Sequence, residues 1–101
     1  MNIITEKQED QITLKLEGWL DTVSSPELGV AVDGIEAGIK SIVLDFDKVE
    51  YIASSGLRQV VACHRRAKEI GAVLSLTNVG TETMSIFQLT GLDKKLAITG
   101  K

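Results

Sequence analysis

Cysteine, histidine and proline each occur once among these 101 residues, and the aromatic residues are one Trp, one Tyr and two Phe. The lone Cys63 can close no internal disulfide and has no second cysteine with which to build a zinc site, so it is expected to be a small buried hydrophobe. The only histidine, His64, follows no serine or cysteine at a spacing that would aim the two together, and most catalytic constellations lack their parts. It is expected at the boundary of its helix. An enzyme is not expected, no cofactor or metal is implied, and no glycine-rich phosphate loop follows a strand, because Gly56 has no lysine at the required spacing. A net charge of -3 with scattered Lys and Arg shows no basic face interleaved with aromatics, so nucleic acid is not an expected partner. The first residues carry no basic run leading into an apolar one, and no later run approaches membrane-spanning length. A soluble, cytoplasmic protein without direct membrane contact is the expectation.

What the chain does have is an apolar share of 44%, enough for one core in one domain covering residues 1–101. No repeat or linker interrupts it. Ile3 to Lys7 and Ile12 to Glu17 alternate about a turn at Gln8–Gln11, which predicts a hairpin with Ile12, Leu14 and Leu16 on one face. After Gly18, Ser24-Ser25-Pro26-Glu27 has the form of a helix start, with a serine cap, proline in the first turn and an early acid. Leu28, Ala31, Val32 and Ile35 form that helix's apolar stripe, while Gly29 and Gly34 weaken it and leave it dependent on packing. Ser41 to Phe46 is almost continuously apolar, as for a central parallel strand covered on both faces. Leu57 to Ile70 has the clearest helical period, with Leu57, Val60, Val61, Cys63, His64, Ala67 and Ile70 on one arc and Arg58, Arg65, Arg66 and Glu69 opposite. Gly71 ends it. Ala72 to Leu76 predicts a strand, Thr81 a cap for a shorter helix ending at Gly91, and Leu96 to Ile98 a last strand. The order β-β-α-β-α-β-α-β predicts a single-domain α/β fold, a mixed sheet with a parallel core and an antiparallel edge strand.

That topology opens two loops at the carboxyl ends of neighbouring strands, Gly18 to Ser25 and Asp47 to Ser54. They bring Asp21 and Thr22 toward Asp47, Ser54, Ser55 and the first turn of the long helix. Gly56 removes bulk there and would let a partner or an anion approach the backbone. Each residue also has a plainer use. One serine could cap the helix while the other is a surface hydroxyl, Asp21 could form the turn, and Asp45 could accept backbone hydrogen bonds. Trp19 either covers the end of the sheet or anchors a partner.

Four pieces in order then resemble the STAS domain of bacterial anti-sigma factor antagonists. Glu17-Gly18-Trp19-Leu20-Asp21 is similar to that family's strand-end Gly-x-Leu-Asp, and Ile42-Val43-Leu44-Asp45-Phe46 to its central strand. Ser54-Ser55-Gly56-Leu57 is similar to its Asp-Ser-Ser/Thr-Gly-Leu signature, and Gly71 to Val79 to the strand that follows. The resemblance implies a cytoplasmic partner-switching protein, and a monomer is the expected state. Unphosphorylated, it would bind an anti-sigma factor with serine kinase activity and free the sigma factor for transcription; phosphorylated it would let go, and a serine phosphatase would reset it. The implied phosphoacceptor is Ser54, with Ser55 as the alternative, and Asp21, Thr22, Asp47, Ser54, Ser55, Gly56 and Arg58 form the implied partner surface. The chain departs from the family in two places: Ala53 replaces the signature aspartate, and Arg58 stands where many members carry a small residue. Arg58 follows Ser54 by four residues, so it could pair with a phosphate there or with an acid of the partner. Ala53 favours the alternative of a STAS accessory subunit that is never phosphorylated, such as one in a lipid-transport ATPase complex.

Overall fold

A computed structural model describes residues 1–101. The elements run β1 (Asn2–Gln8), β2 (Gln11–Leu20), α1 (Ser25–Asp33), β3 (Ser41–Ile52), α2 (Ser54–Glu69), β4 (Val73–Val79), α3 (Thr81–Thr90), a 3-10 turn at Leu92–Lys94, and β5 (Ala97–Gly100). This is the expected order. β1 pairs antiparallel with β2 from Asn2↔Glu17 to Gln8↔Gln11, and β2, β3, β4 and β5 pair in parallel.

The strands lie in the sheet in chain order, β1-β2-β3-β4-β5, without a reversal. Right-handed parallel crossovers that all step the same way put their helices on one face of the sheet. The residues follow this arrangement. Ile12, Leu14 and Leu16 of β2, Ile42, Leu44 and Phe46 of β3, and Leu74 and Leu76 of β4 are buried, and Phe46 meets Phe87 of α3 edge-on with ring centroids 6.3 Å apart. Their neighbours Thr13, Lys15, Val43, Asp45 and Thr77 point the other way and are at least partly exposed. The expectation of a central strand covered on both faces is therefore corrected: a sheet that never reverses its winding leaves one face without helices.

The core beneath the helices contains 21 residues, Cys63 among them. Burial pushes the Cys63 thiol up to about 11, which leaves it protonated and inert at neutral pH. Leu28 and Val32 are buried as the stripe of α1 requires, and Ile35, expected in that stripe, is buried just beyond the helix end. Gly29, which weakens α1 as an isolated helix, is where α1 meets α2: a Cβ there would lie 2.8 Å from the Gln59 side chain. Gly34 stands just past the end of the helix. Gly71 and Gly91 end α2 and α3 with positive φ, as expected. Helix starts differ from expectation. Neither Ser24 before α1 nor Thr81 in α3 makes a side-chain cap bond, and the residue at the cap position of α3 is Gly80.

The closest constraint lies at the start of α2. A Cβ on Gly56 would stand 2.5 Å from the Leu20 carbonyl oxygen and 2.9 Å from side-chain carbons of Leu20 and Ile52. Gly56→Ala, usually favourable within a helix, is therefore expected to destabilise the fold by about 1–3 kcal/mol through overpacking. Urea unfolding would measure this as a lower midpoint at unchanged slope.

Candidate functional site

β2 ends at Leu20 and β3 at Ile52, so the loops at their carboxyl ends are short. One is Asp21 to Ser24 and the other is Ala53 alone. The Ala53 N-H donates to the Leu20 carbonyl at 2.9 Å, tying the two strand ends together, and Leu57 N-H donates to the Ala53 carbonyl to begin the helix. The two loops meet through side chains as well, since Thr22 Oγ1 and Ser55 Oγ lie 3.2 Å apart.

Asp21 organises the first loop. Its Oδ1 accepts the N-H groups of Val23 and Ser24, each at 3.0 Å, and its own carbonyl accepts the Ser25 N-H at 2.8 Å and the Ser25 hydroxyl. The buried Ser24 hydroxyl accepts the Asp21 N-H at 2.9 Å, and its single proton is shared between the Trp19 carbonyl at 2.6 Å and Asp21 Oδ1 at 3.1 Å. Asp21 thus closes the turn that leads into α1, and Ser24 braces it. The backbone hydrogen bond from Ser24, outweighing partial burial, holds the Asp21 carboxyl below the usual carboxylate range, helped by the Ser24 hydroxyl, the Val23 N-H and the chain's N-terminal charge.

The two serines divide. Ser55 is half-buried and engaged with Thr22, whereas Ser54 is exposed and its hydroxyl makes no hydrogen bond. Neither caps α2. The cap position belongs to Ala53, whose φ of -92° and ψ of 171° suit a cap but whose side chain offers no oxygen, and the first turn holds no acid. Gly56 is buried under Leu20 and Ile52, so it presents no open backbone to a partner. Its lack of a side chain admits the chain's own β2 end. Asp47 lies within β3, five residues or roughly 16 Å of strand before Ile52. The long β3 carries it away from Ser54, and its carboxylate faces Lys101 Nζ at 3.5 Å. Asp45 accepts the Asp47 N-H and the Asn78 side-chain amide, each at 3.0 Å, a structural use.

Arg58 lies on the exposed side of α2. With Ser54, Leu57, Val61, Arg65 and Leu92 it lines a groove of about 420 Å³ between α2 and the end of α3. Thr90 closes the groove, its hydroxyl already bonded to the carbonyls of Ile86 and Phe87. Val61, Arg65 and Leu92 are absent from the residues expected from sequence. The signal that would have placed Arg65 is its seven-residue spacing from Arg58, two helical turns along one side. Val23, 83% exposed beside Thr22, is another omission. Trp19 is 56% exposed, packs against Tyr51 with ring centroids 5.3 Å apart, and donates its indole N-H to Glu50 at 3.2 Å. Trp19 and Tyr51 precede Leu20 and Ile52, whose side chains are buried beneath the helices, so the pair belongs to the other side of the sheet. His64 is half-buried on α2, and burial, then Lys68, push its imidazole below the ordinary value.

No helix is long and apolar enough to cross a membrane, and no group of three or more His, Cys, Asp or Glu side chains gathers as a metal site would require. The arrangement offers one exposed, uncommitted hydroxyl at a helix start, one bridged hydroxyl beside it, and a cationic groove leading away.

Comparison with known proteins agrees with this architecture. The STAS domain pattern matches residues 2–100, and the chain belongs to that family. The anti-sigma-B factor antagonist of Bacillus subtilis is 25% identical over 101 residues, spanning 100% of this chain and 93% of that protein. Among solved structures, an anti-sigma factor antagonist from Mycobacterium paratuberculosis superposes with a TM-score of 0.86 at 24% identity, covering 99% of this chain and 86% of that one. The Bacillus cell fate determinant SpoIIAA in its phosphorylated form gives 0.72 at 18% identity, covering 99% and 93%.

Two outcomes follow from the two loops. Ala53→Asp supplies the missing cap oxygen on a backbone already in cap geometry, and is expected to raise stability by about 0.5–2 kcal/mol in urea unfolding. Asp21→Asn is expected to lower stability at neutral pH. A carboxyl whose folded value is depressed stabilises in full above the ordinary carboxylate range and loses that contribution as pH falls through the lowered value, so the deficit of the variant should shrink on acidification. Urea midpoints of parent and variant from pH 7 down to about 2 would measure it.

Proposed function

We propose that this chain is an anti-sigma factor antagonist that works as a cytoplasmic partner switch, with Ser54 as its phosphoacceptor. The observation that carries this reading is the division of labour between the serines: Ser54 is exposed with a free hydroxyl, while Ser55 is held by Thr22. The unmodified protein binds an anti-sigma factor that is also a serine kinase, and the sigma factor is released. The kinase then transfers a phosphoryl group from a nucleoside triphosphate. The Ser54 Oγ–P bond forms as the terminal P–O bond of the nucleotide breaks, the hydroxyl proton goes to a base of the kinase, and the nucleoside diphosphate leaves. A serine phosphatase reverses the modification.

Phosphate on Ser54 adds about -1.5 to -2 charges at the start of α2, where the helix dipole and the uncapped N-H groups favour an anion. The fold therefore tolerates the modification, and the consequence falls on the partner, which must cover and desolvate the new charge. A weakening of 1.4 kcal/mol is already about tenfold in affinity. Thr22, Val23, Ser54 and Arg58 supply the partner surface, with Asp21 positioning the loop that carries the first two. Asp47 and Gly56 are not part of it.

A second reading has Ala53 in its favour: without the family acid before the serine, the same surface could hold a partner constitutively. Capture of the anti-sigma factor from native lysate on Ser54→Ala and Ser54→Asp proteins separates the two. Retention by Ser54→Ala with at least tenfold weaker capture by Ser54→Asp is the expected result, together with a phosphate on Ser54 in mass spectra of protein from the native cell. Equal capture by both variants would overturn the switch in favour of the constitutive module.

A further inference from the structure

The cations of this chain fall into two sets. Lys7, Lys15, Lys48, Arg66 and Lys101 each have a carboxylate within 4.0 Å. Three of these pairs, Lys15 with Glu6, Lys48 with Glu17 and Lys101 with Asp47, involve residues of the sheet or its end, so charge there is internally balanced. Lys40, Lys68, Lys94 and Lys95 have no such partner, and neither do the two arginines Arg58 and Arg65, although the chain holds 14 carboxylates against 11 Lys and Arg. Both arginines line the groove that begins at Ser54, and no acidic side chain lines it. Within that groove the Thr90 hydroxyl is occupied by backbone carbonyls, which leaves Ser54 with the one uncommitted hydroxyl.

We propose that Arg58 is the receiver of a phosphate carried on Ser54, and that the groove is where the modified side chain lies. This rests on Ser54 being the phosphoacceptor. The two residues are four apart in α2, and Cα–Cβ bonds in a helix tilt toward its N-terminus, so the Arg58 side chain leans over the turn that carries Ser54. The guanidinium presents a planar fork of donors that matches two phosphate oxygens, which a lysine there would not. Leu57 and Val61 form an apolar wall beside the pair and reduce screening by water. Arg65 lies two turns beyond Arg58, about 10 Å along the axis, and acts only through its field.

The pairing changes what phosphorylation does. In the unmodified protein Arg58 is free to engage a carboxylate of the partner. Once Ser54 carries phosphate the guanidinium is taken, so the partner loses its counter-charge in addition to meeting a new negative group.

Phosphoserine installed at position 54 during translation tests this without any kinase. The second ionisation of the phosphate would be followed by ³¹P NMR in the parent, in Arg58→Gln, in Arg58→Lys and in Arg65→Gln proteins, with amide spectra confirming that each is folded. The parent should titrate about 0.3–0.7 pH unit below Arg58→Gln, the range of an exposed charge pair. Arg58→Lys should fall between them, Arg65→Gln should stay close to the parent, and about 1 M salt should shrink the difference. Coincident titrations of parent and Arg58→Gln would overturn the proposal. Absence of phosphate on Ser54 in the native cell would instead count against the switch reading, leaving the Arg58 contact to be judged by the NMR result.

Discussion

The first turn of α2 is pressed against the end of β2 so closely that only a residue without a side chain can stand at position 56, with the Leu20 carbonyl 2.5 Å from where a Cβ would be. The features of the candidate site follow from that approach. It brings the Ala53 N-H within 2.9 Å of the Leu20 carbonyl, which sets the direction in which α2 leaves the sheet. It places Ser55 beside Thr22 and turns Ser54 outward. A larger residue at 56 would lift the helix start from the strand end and separate the two loops, so a packing constraint in the core decides which serine is available at the surface. The cost to α2 of a glycine in its first turn is of the order of 1 kcal/mol and is offset by burial on both sides.

Much of this was readable from residue types. Alternation in Ile12, Leu14 and Leu16, and the helical period from Leu57 to Ile70, report local geometry directly, and the order of the elements then restricts the topology. The errors came where a residue's role depends on something distant in sequence. Gly56 looked like an opening for a ligand, because nothing local reveals that Leu20 fills the space. The sequence places Asp47 in the loop because the apolar run from Ser41 closes at Phe46. β3 continues to Ile52 instead, since only one of its faces needs to be apolar. The same bare face explains why Val43 is only partly buried. At Asp21 the structure shows the turn-forming use: its carboxylate holds the loop from which Thr22 reaches Ser55.

Charge is distributed unevenly for a reason that the topology supplies. A sheet that winds in one direction exposes its uncovered face to water, and there Lys15, Lys48 and Lys101 find acids at Glu6, Glu17 and Asp47. Exposed pairs of this kind contribute little to stability, but they leave that face with little local field. The groove beside α2 is the opposite case, with two guanidiniums and no carboxylate. An acidic chain that leaves its two unpaired arginines lining the same groove as the free Ser54 hydroxyl concentrates positive potential where a phosphate or a partner's carboxylate would act.

Ala53 bears on the same point through dynamics. A helix start with no capping oxygen and no acid in its first turn leaves N-H groups to be satisfied by water, and such a turn opens more readily than a capped one. Ser54 is the first residue of that turn, while Gly56, two residues on, is locked under Leu20 and Ile52. That packing would confine any opening of the turn to the segment around Ser54. Under the proposed switch, Ser54 would enter a kinase's catalytic cleft, which calls for local freedom of this kind on a fixed base. An aspartate at 53 would strengthen the turn by its cap and place a negative charge beside the hydroxyl. With alanine there, the turn has no capping oxygen, and under the proposed pairing Arg58 would meet a phosphate on Ser54 with no acid in that turn to oppose it.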